Sequence, residues 1–169
     1  MSGSNSRGDL SGVHLPPQNL VAERSVLGSI MLENSALDEV ADVLKPEHFY
    51  SDVHAIIYTA ILKLNEATIK IDVITVTEEL DKRNQLEDIG GVPYVMEILE
   101  AVPHAAHVKY YAEIVRDKWI QRTLTNVCTE VLRDCYEGTD DTADVLTKAE
   151  RGIFDILENQ DVSQKLSMD

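Results

Sequence analysis

The sequence predicts an all-α protein in which a compact multi-helix head is followed by a long antiparallel helical hairpin. Apolar residues recur at intervals of three and four in several segments, the spacing of one helix face. The last two such segments are joined by a turn of about five residues, so they must lie antiparallel. The one β-branched run has no evident partner strand. We therefore expect a tail at 1–15, a head at 16–106, a hairpin at 107–160 and the start of a linker at 161–169.

The N-terminal segment Met1 to His14 is rich in Ser, Gly and Asn without periodicity, which is typical of a disordered tail. Pro16 and Pro17 end it and start a helix predicted over Asn19 to Leu32. Its apolar set is Leu20, Leu27, Ile30 and Met31.

Three further helices are predicted in the head. Ser35 is expected to cap a short helix through Val43. Ser51 to Asn65 has a clear helical stripe, and Pro46 separates the two segments. The β-branched run Lys70 to Val76 is ambiguous, but a helix capped by Asp72 is favoured.

A turn at Gly90-Gly91 leads to the last helix of the head. Pro93 suits the first turn of this helix, which should end near Val102. The segment after it leads into the hairpin.

The hairpin is predicted from two apolar stripes. The first helix spans Val108 to Tyr136, and Gly138 is fit to end it, with Thr139 or Asp140 capping the next. The first stripe consists of Ile120, Leu124, Val127, Val131 and Cys135, and the second of Leu146, Ala149, Ile153, Ile156 and Leu157.

The first hairpin helix is too long for the head to cover. At about 1.5 Å per residue it would be roughly 40 Å long, and an uncovered apolar stripe of that length indicates that another chain covers it. We expect hairpin packing and subunit pairing to use Leu124, Val127, Val131, Leu132, Ile153, Ile156 and Leu157. Cys128 and Cys135 lie seven apart, too far for a disulfide, and are expected to be free thiols on the inner face of the hairpin, consistent with a reducing cytoplasm.

Composition excludes several classes of function. The 15 basic and 30 acidic residues give a net charge of −15, which argues against gripping nucleic-acid phosphates or an anionic membrane. No apolar run approaches the length of a membrane span, and no apolar signal core is present. We therefore expect a soluble cytoplasmic chain that makes no direct contact with DNA.

Catalytic and metal motifs are mostly missing from the sequence. The paired glycines precede Val92-Pro93, so no GxxxxGK[ST] nucleotide-binding loop is present. His104 and His107 are spaced as two metal ligands, but a turn-and-cap role is favoured because no third ligand is obvious. His48 and His54 are expected to be buried, hydrogen-bonded histidines that pack helix ends.

The charged clusters on the hairpin favour structural roles over binding sites. The acidic group does not follow the calcium-loop spacing, and favours a solvated helix N-terminus instead; it comprises Asp134, Glu137, Asp140, Asp141 and Asp144. Arg116, Arg122 and Arg133 each have an acidic neighbour in sequence, which favours surface ion pairs over contacts with nucleic acid.

A series of segments along the chain matches a known family in order. They are Pro16 to Gly28, Leu44 to Tyr50 with His54, Ile71 to Thr75, Ile89 to Tyr94, Ala101 to Ala106, Tyr111 to Val115 and Arg122 to Leu124. Through this series the chain resembles, across roughly Pro16 to Gln160, the N-terminal domain of bacterial replicative DNA helicases of the DnaB type. Only the whole series is specific. Val21, the Ala67-Thr68 loop and His107 depart from the family pattern, and Val21 puts a conventional acidic contact there in doubt.

The resemblance implies a specific role in assembly. In this family hairpins pair between subunits, and the pairs form a three-fold collar on a hexameric ring that binds the primase DnaG. The RecA-like motor, with its ATP and Mg, lies outside these 169 residues. This domain is therefore expected to need no cofactor and neither to hydrolyse ATP nor to unwind DNA, and a helicase loader is a possible further partner.

The primase-facing surface is expected along the rim between head and hairpin, at Tyr94, Trp119, Thr125 and Val131. Two alternatives stay open. One is a free-standing helical adaptor whose partner is not a primase. The other is an all-α metal-dependent hydrolase using His104, His107 and nearby carboxylates.

Overall fold

The structure is a computed structural model that describes residues 14–102 and 107–166, with side chains described as far as residue 160. Seven α-helices and no β-strand occur in this part of the chain, which confirms the predicted all-α class. The helices are α1 (Leu20–Leu32), α2 (Ala36–Val40), α3 (Asp52–Glu66), α4 (Val73–Lys82), α5 (Gly91–Glu100), α6 (Val108–Glu137) and α7 (Thr142–Leu166). A 3-10 turn at Pro46–His48 precedes α3.

Helices α1 to α5 and the first two turns of α6 form the head. Helix α1 is its centre, since nine of its thirteen residues are buried. The core includes Val26, Leu27 and Ile30 of α1 with Ile57 and Tyr58 of α3. The buried Tyr58 hydroxyl donates to the carbonyl of Leu44 at 2.9 Å, which satisfies its one polar group.

Gly28 allows α1 and α5 to pack unusually closely. A Cβ at this position would lie 2.7 Å from the carbonyl oxygen of Ile98 and would overlap the Val102 side chain. No residue with a side chain fits this contact, so the glycine sets the spacing of the two helices.

The predicted helix starts are mostly confirmed. Asn19 caps α1 by accepting from the amide of Ala22 at 2.9 Å, and Asp72 caps α4 by accepting from that of Thr75 at 3.0 Å. The β-branched run after Lys70 is therefore helical from Val73. Ser35 is an exception: its side chain makes no cap hydrogen bond, its hydroxyl bonds to Glu33 instead, and α2 ends at Val40 rather than Val43.

Helix α6 continues from the head into the hairpin without interruption. Val108, Ala112 and Val115 are buried in the head, whereas no residue of α6 beyond them is buried. The helix ends at Gly138, whose φ of +61° is the left-handed conformation predicted for it.

Helix α7 differs from the prediction at both ends. It begins at Thr142, so Asp141, rather than Thr139 or Asp140, immediately precedes it. It continues to Leu166, six residues beyond the predicted end at Gln160. Residues 161–166, expected to begin a linker, are therefore helical in backbone.

Three sequence-based predictions fall partly or wholly outside the described residues. They concern residues 1–13 of the predicted tail, His104 of the candidate metal pair, and residues 167–169 of the predicted linker.

In the part that is described, no helix is long and apolar enough to cross a membrane.

Candidate functional site

A groove of about 670 Å³ lies where the head meets the hairpin. One wall comes from the segment before α1 and from the end of the 3-10 turn, and the other from α6. Its apolar lining includes Leu15, Pro16, Phe49, Tyr50 and Trp119. The α6 wall adds the uncharged polar residues Thr123, Thr125 and Asn126. A groove with aromatic walls and a polar rim is suited to binding a protein side chain or helix.

Arg122 joins the two walls of this groove. Its two terminal nitrogens donate to the carbonyl oxygens of Pro17 and His48, each at 2.8 Å. Its guanidinium carbon also lies 5.4 Å from the centre of the Tyr50 ring, within range of a cation–π contact. Burial lowers the pKa of Arg122, while the nearby Glu23 opposes that shift. The predicted surface ion pair is therefore wrong for Arg122, which holds backbone carbonyls of the head to the hairpin helix.

His48 packs against Trp119 at the same junction. The two ring centroids are 4.4 Å apart, and the His48 Nδ1 atom accepts from the amide of Lys45 at 3.1 Å. Burial, followed by the positive charges of Arg116, Lys45 and Arg122, lowers the pKa of His48 to about 4. His48 is thus neutral at physiological pH, as the accepting role of Nδ1 requires.

A buried polar chain crosses the head beside the groove. The Glu23 carboxylate accepts from the amides of Tyr50 at 3.0 Å and Ser51 at 3.2 Å. It also contacts His54 Nδ1 at 2.9 Å, and His54 Nε2 lies 2.7 Å from the Tyr94 hydroxyl. Glu23 and His54 are each 1% exposed. The prediction that His48 and His54 are buried and hydrogen-bonded is confirmed.

The inner contact of the hairpin agrees with the prediction only in part. A Cβ added to Gly152 would lie 2.7 Å from Val127 Cγ1, so α6 and α7 touch here. Val145 and Ile156 are each 8% exposed and lie seven and four residues from Gly152 on α7. The inner stripe of α7 is therefore Val145, Gly152 and the predicted Ile156, and the predicted Ala149 is half-buried. The predicted members Leu146, Ile153 and Leu157 are exposed.

An ion-pair cluster closes the hairpin near its turn. Lys148 of α7 pairs with Asp134 of α6 at 3.6 Å and with Asp140 of the turn. The Asp134 side chain is only 15% exposed, so it belongs to the inner contact.

The exposed aliphatic residues of the hairpin lie together on one side of it. Each residue of a helix is rotated by about 100° from the one before it. When two helices pack antiparallel, the residue directly after an inner contact on one helix faces the same side of the hairpin as the corresponding residue on the other helix. On α6, Cys128 and Cys135 follow the inner residues Val127 and Asp134. On α7, Leu146, Ile153 and Leu157 follow the inner residues Val145, Gly152 and Ile156. With Leu124 and Leu132, four residues either side of Cys128, they form what we call the outer hairpin face.

The outer hairpin face is solvent-exposed in the single chain. Leu124 is 41% exposed, Leu132 is 58% and Leu157 is 52%. Cys128 and Cys135 are also exposed, so the prediction that they lie on the inner face is wrong.

The predicted site residues fall into separate groups. Trp119 and Thr125 line the junction groove, whereas Tyr94 lies in the head beside His54, and Val131 lies beside Val127 and Gly152 in the hairpin. Of the residues predicted for hairpin packing and pairing, Val127, Val131 and Ile156 are buried or half-buried, and Leu124, Leu132, Ile153 and Leu157 are on the outer hairpin face.

The residues that join head and hairpin were missed by sequence reasoning. Arg122 bonds to residues 105 and 74 positions away, and no local pattern indicates such contacts. Arg116 likewise donates to the carbonyl of Asn159 at 2.7 Å rather than to an acidic neighbour. Among residues 14–102 and 107–160, no three His, Cys, Asp or Glu side chains are grouped so as to hold a metal ion.

Comparisons with known proteins agree with this architecture. A family model described as the DnaB-like helicase N terminal domain matches residues 15–117. The chain is 41% identical over 155 residues to the replicative DNA helicase DnaC of Bacillus subtilis (strain 168). That alignment covers 92% of the chain and 34% of the relative, so the chain spans about a third of the curated relative's length.

Solved structures extend the similarity to three dimensions. The N-terminal domain of DnaB helicase from Mycobacterium tuberculosis matches with a TM-score of 0.78 and 39% identity, over 83% of this chain and 99% of that one. The N-terminal domain of DnaB helicase from Helicobacter pylori, a structure described together with its interactions with primase, matches with a TM-score of 0.60 and 26% identity. That match covers 69% of this chain and 90% of the other.

Proposed function

This chain belongs to the DnaB-like helicase N-terminal domain family, and from that premise we propose that it is the collar domain of a replicative DNA helicase. In this role it pairs with other copies through its hairpin and binds the primase DnaG at the replication fork in the cytoplasm. The observation that carries the proposal is the outer hairpin face, a row of aliphatic side chains and thiols left in solvent. Exposed apolar patches of this kind mark protein interfaces.

Self-pairing uses the outer hairpin face, not the residues inside the hairpin. Leu124, Leu132, Ile153 and Leu157 are its aliphatic contacts, and Val127, Val131 and Ile156 support it by fixing how α6 packs on α7. A two-fold pairing presents the same patch on both copies, which suits a single continuous face. Such pairs are the units from which a three-fold collar on a hexameric ring is built.

Primase binding centres on the junction groove. Trp119 and Thr125 lie in its wall, and aromatic residues in such grooves commonly supply much of the binding energy. Tyr94 and Val131 lie outside the groove and are proposed as secondary contacts. A helicase loader is proposed as a further partner of the same collar.

The chemistry of the whole protein is assigned to another domain. The full-length relatives are replicative helicases, and ATP and Mg are assigned to the motor domain of the full-length protein. We propose that this domain itself neither hydrolyses ATP nor unwinds or contacts DNA. Its net charge of −15 supports the last point.

A calorimetric titration with the C-terminal domain of the primase from the same organism tests the partner. We expect saturable binding that Trp119→Ala weakens at least tenfold. Tyr110→Ala is the matched control, since Tyr110 is an α6 aromatic that is 63% exposed and does not line the groove. An equal loss of primase affinity in both variants, or no binding of primase by the self-paired chain, would contradict the assignment of the primase site to the junction groove.

A further inference from the structure

The polar chain from Glu23 to Tyr94 connects the centre of the head to its surface. Glu23 on α1 is buried, His54 on α3 is buried, and Tyr94 on α5 is half-buried. The rings of His54 and Tyr94 are nearly parallel, with an angle of 6° between their planes and 6.1 Å between their centroids. The hydroxyl of Tyr94 is therefore the outward end of a fixed hydrogen-bonded series.

The partners of Glu23 fix which nitrogen of His54 carries a proton. Each Glu23 oxygen accepts from a backbone amide, Oε2 from Tyr50 and Oε1 from Ser51. An ionised carboxyl group only accepts hydrogen bonds, so His54 Nδ1, 2.9 Å from Oε1, must donate. In a neutral ring the other nitrogen then has no hydrogen. In this neutral form, His54 Nε2 accepts from the Tyr94 hydroxyl, 2.7 Å away.

We propose that Glu23 and His54 are positioning residues that make the Tyr94 oxygen a hydrogen-bond acceptor at the head surface. Because its only hydrogen points inward to His54, the hydroxyl can offer only lone pairs to the outside. Burial raises the pKa of Tyr94, and the positive charge of Arg24 on α1 acts in the opposite direction. The surface at Tyr94 therefore selects partner groups that donate, such as a guanidinium, an ammonium or a backbone amide.

Nitrogen-15 NMR of the chain alone tests the tautomer. The neutral ring should show a protonated Nδ1 and an unprotonated Nε2. Finding the hydrogen on Nε2 in the neutral ring would overturn the proposal.

A variant tests the role of the hydroxyl. Tyr94→Phe keeps the ring and the fold but removes the donor to His54 Nε2, 2.7 Å away. The nitrogen-15 resonance of the unprotonated Nε2 in the neutral ring should therefore move downfield in this variant. An unmoved resonance would overturn the proposal.

The preference for a donor partner rests on the proposed primase site, but this test does not need a primase. An NMR spectrum that places the hydrogen on Nε2 would contradict the hydrogen-bond direction at Tyr94 but would not affect the proposed collar role. A titration that shows no binding of primase would contradict the proposed partner but would not affect the hydrogen-bond direction at Tyr94.

Discussion

Gly152 and Val127 are in van der Waals contact across the hairpin, so closely that a Cβ on Gly152 would lie 2.7 Å from Cγ1 and 3.1 Å from Cγ2 of the valine. This contact sets the register of α7 on α6. It thereby decides which side chains face inward and which form the outer hairpin face.

Gly152→Ala should destabilise the hairpin. Overpacking typically costs about 1–3 kcal/mol, and the better helix propensity of Ala returns at most about 1 kcal/mol. We expect a net loss of roughly 1–2 kcal/mol in the free energy of unfolding, measured by urea denaturation followed by circular dichroism.

The matched control for that change is the double variant Gly152→Ala with Val127→Ala. Removing the valine methyl groups makes room for the new Cβ, so the double variant should lose less stability than the two single losses added together. Simple additivity would show that the two residues do not limit the helix spacing.

Arg122→Met should loosen the junction of head and hairpin. The change leaves the carbonyls of Pro17 and His48 without their donor, and each buried unsatisfied group costs about 1–3 kcal/mol. Thermal unfolding measures the effect. Arg133→Met is the control, since the Arg133 side chain is 61% exposed, and a similar fall in Tm for both variants would contradict the role of Arg122.

His48 should make stability pH-dependent. Its pKa is about 4 in the folded chain and about 6.5 in the unfolded one, so the unfolded chain gains a proton first as the pH falls. Stability present above pH 6.5 is therefore lost between about pH 6.5 and pH 4, by roughly 2–3 kcal/mol.

The comparison variant for this effect is His48→Gln, which keeps an acceptor for the Lys45 amide but does not titrate. Carboxyl groups titrate in both proteins, so the difference between their urea-derived stabilities isolates the histidine. That difference should shrink as the pH falls through the window. A constant difference from pH 7 to pH 4 would rule out the lowered pKa as a source of stability.

The thiols of the outer hairpin face should report on self-pairing. Cys128 and Cys135 are exposed in the single chain, so both should react quickly with a maleimide reagent at low protein concentration. Raising the concentration should slow the reaction, because pairing covers them. Rates that are independent of concentration would argue against pairing through this face.

Local signals predicted much of the fold. Asp72 and Gly138 were identified as caps because side-chain capping and the left-handed conformation depend on neighbouring residues alone. The hairpin followed from two periodic segments and a short turn. Ser35 shows the limit of such reasoning, since its hydroxyl bonds to Glu33 instead of capping α2.

The register of α7 was harder to predict for a physical reason. Gly152 occupies an inner position because it has no side chain, but a periodicity based on apolar side chains does not count it. The predicted stripe therefore includes Ile156 correctly, but also Leu146 and Ile153, which follow inner positions by one residue and are exposed. Contacts such as Arg122 with Pro17 join distant parts of the chain, and a single sequence contains no signal for them.

Sedimentation velocity of the chain over a wide concentration range tests the central claim most directly. Leu132→Asp changes the outer hairpin face, and Leu32→Asp places the same change on the head at a leucine of similar exposure, 54% against 58%. The account predicts that the wild-type chain and Leu32→Asp associate alike, while Leu132→Asp stays monomeric. A wild-type chain that stays monomeric throughout, or equal association by both variants, would contradict it.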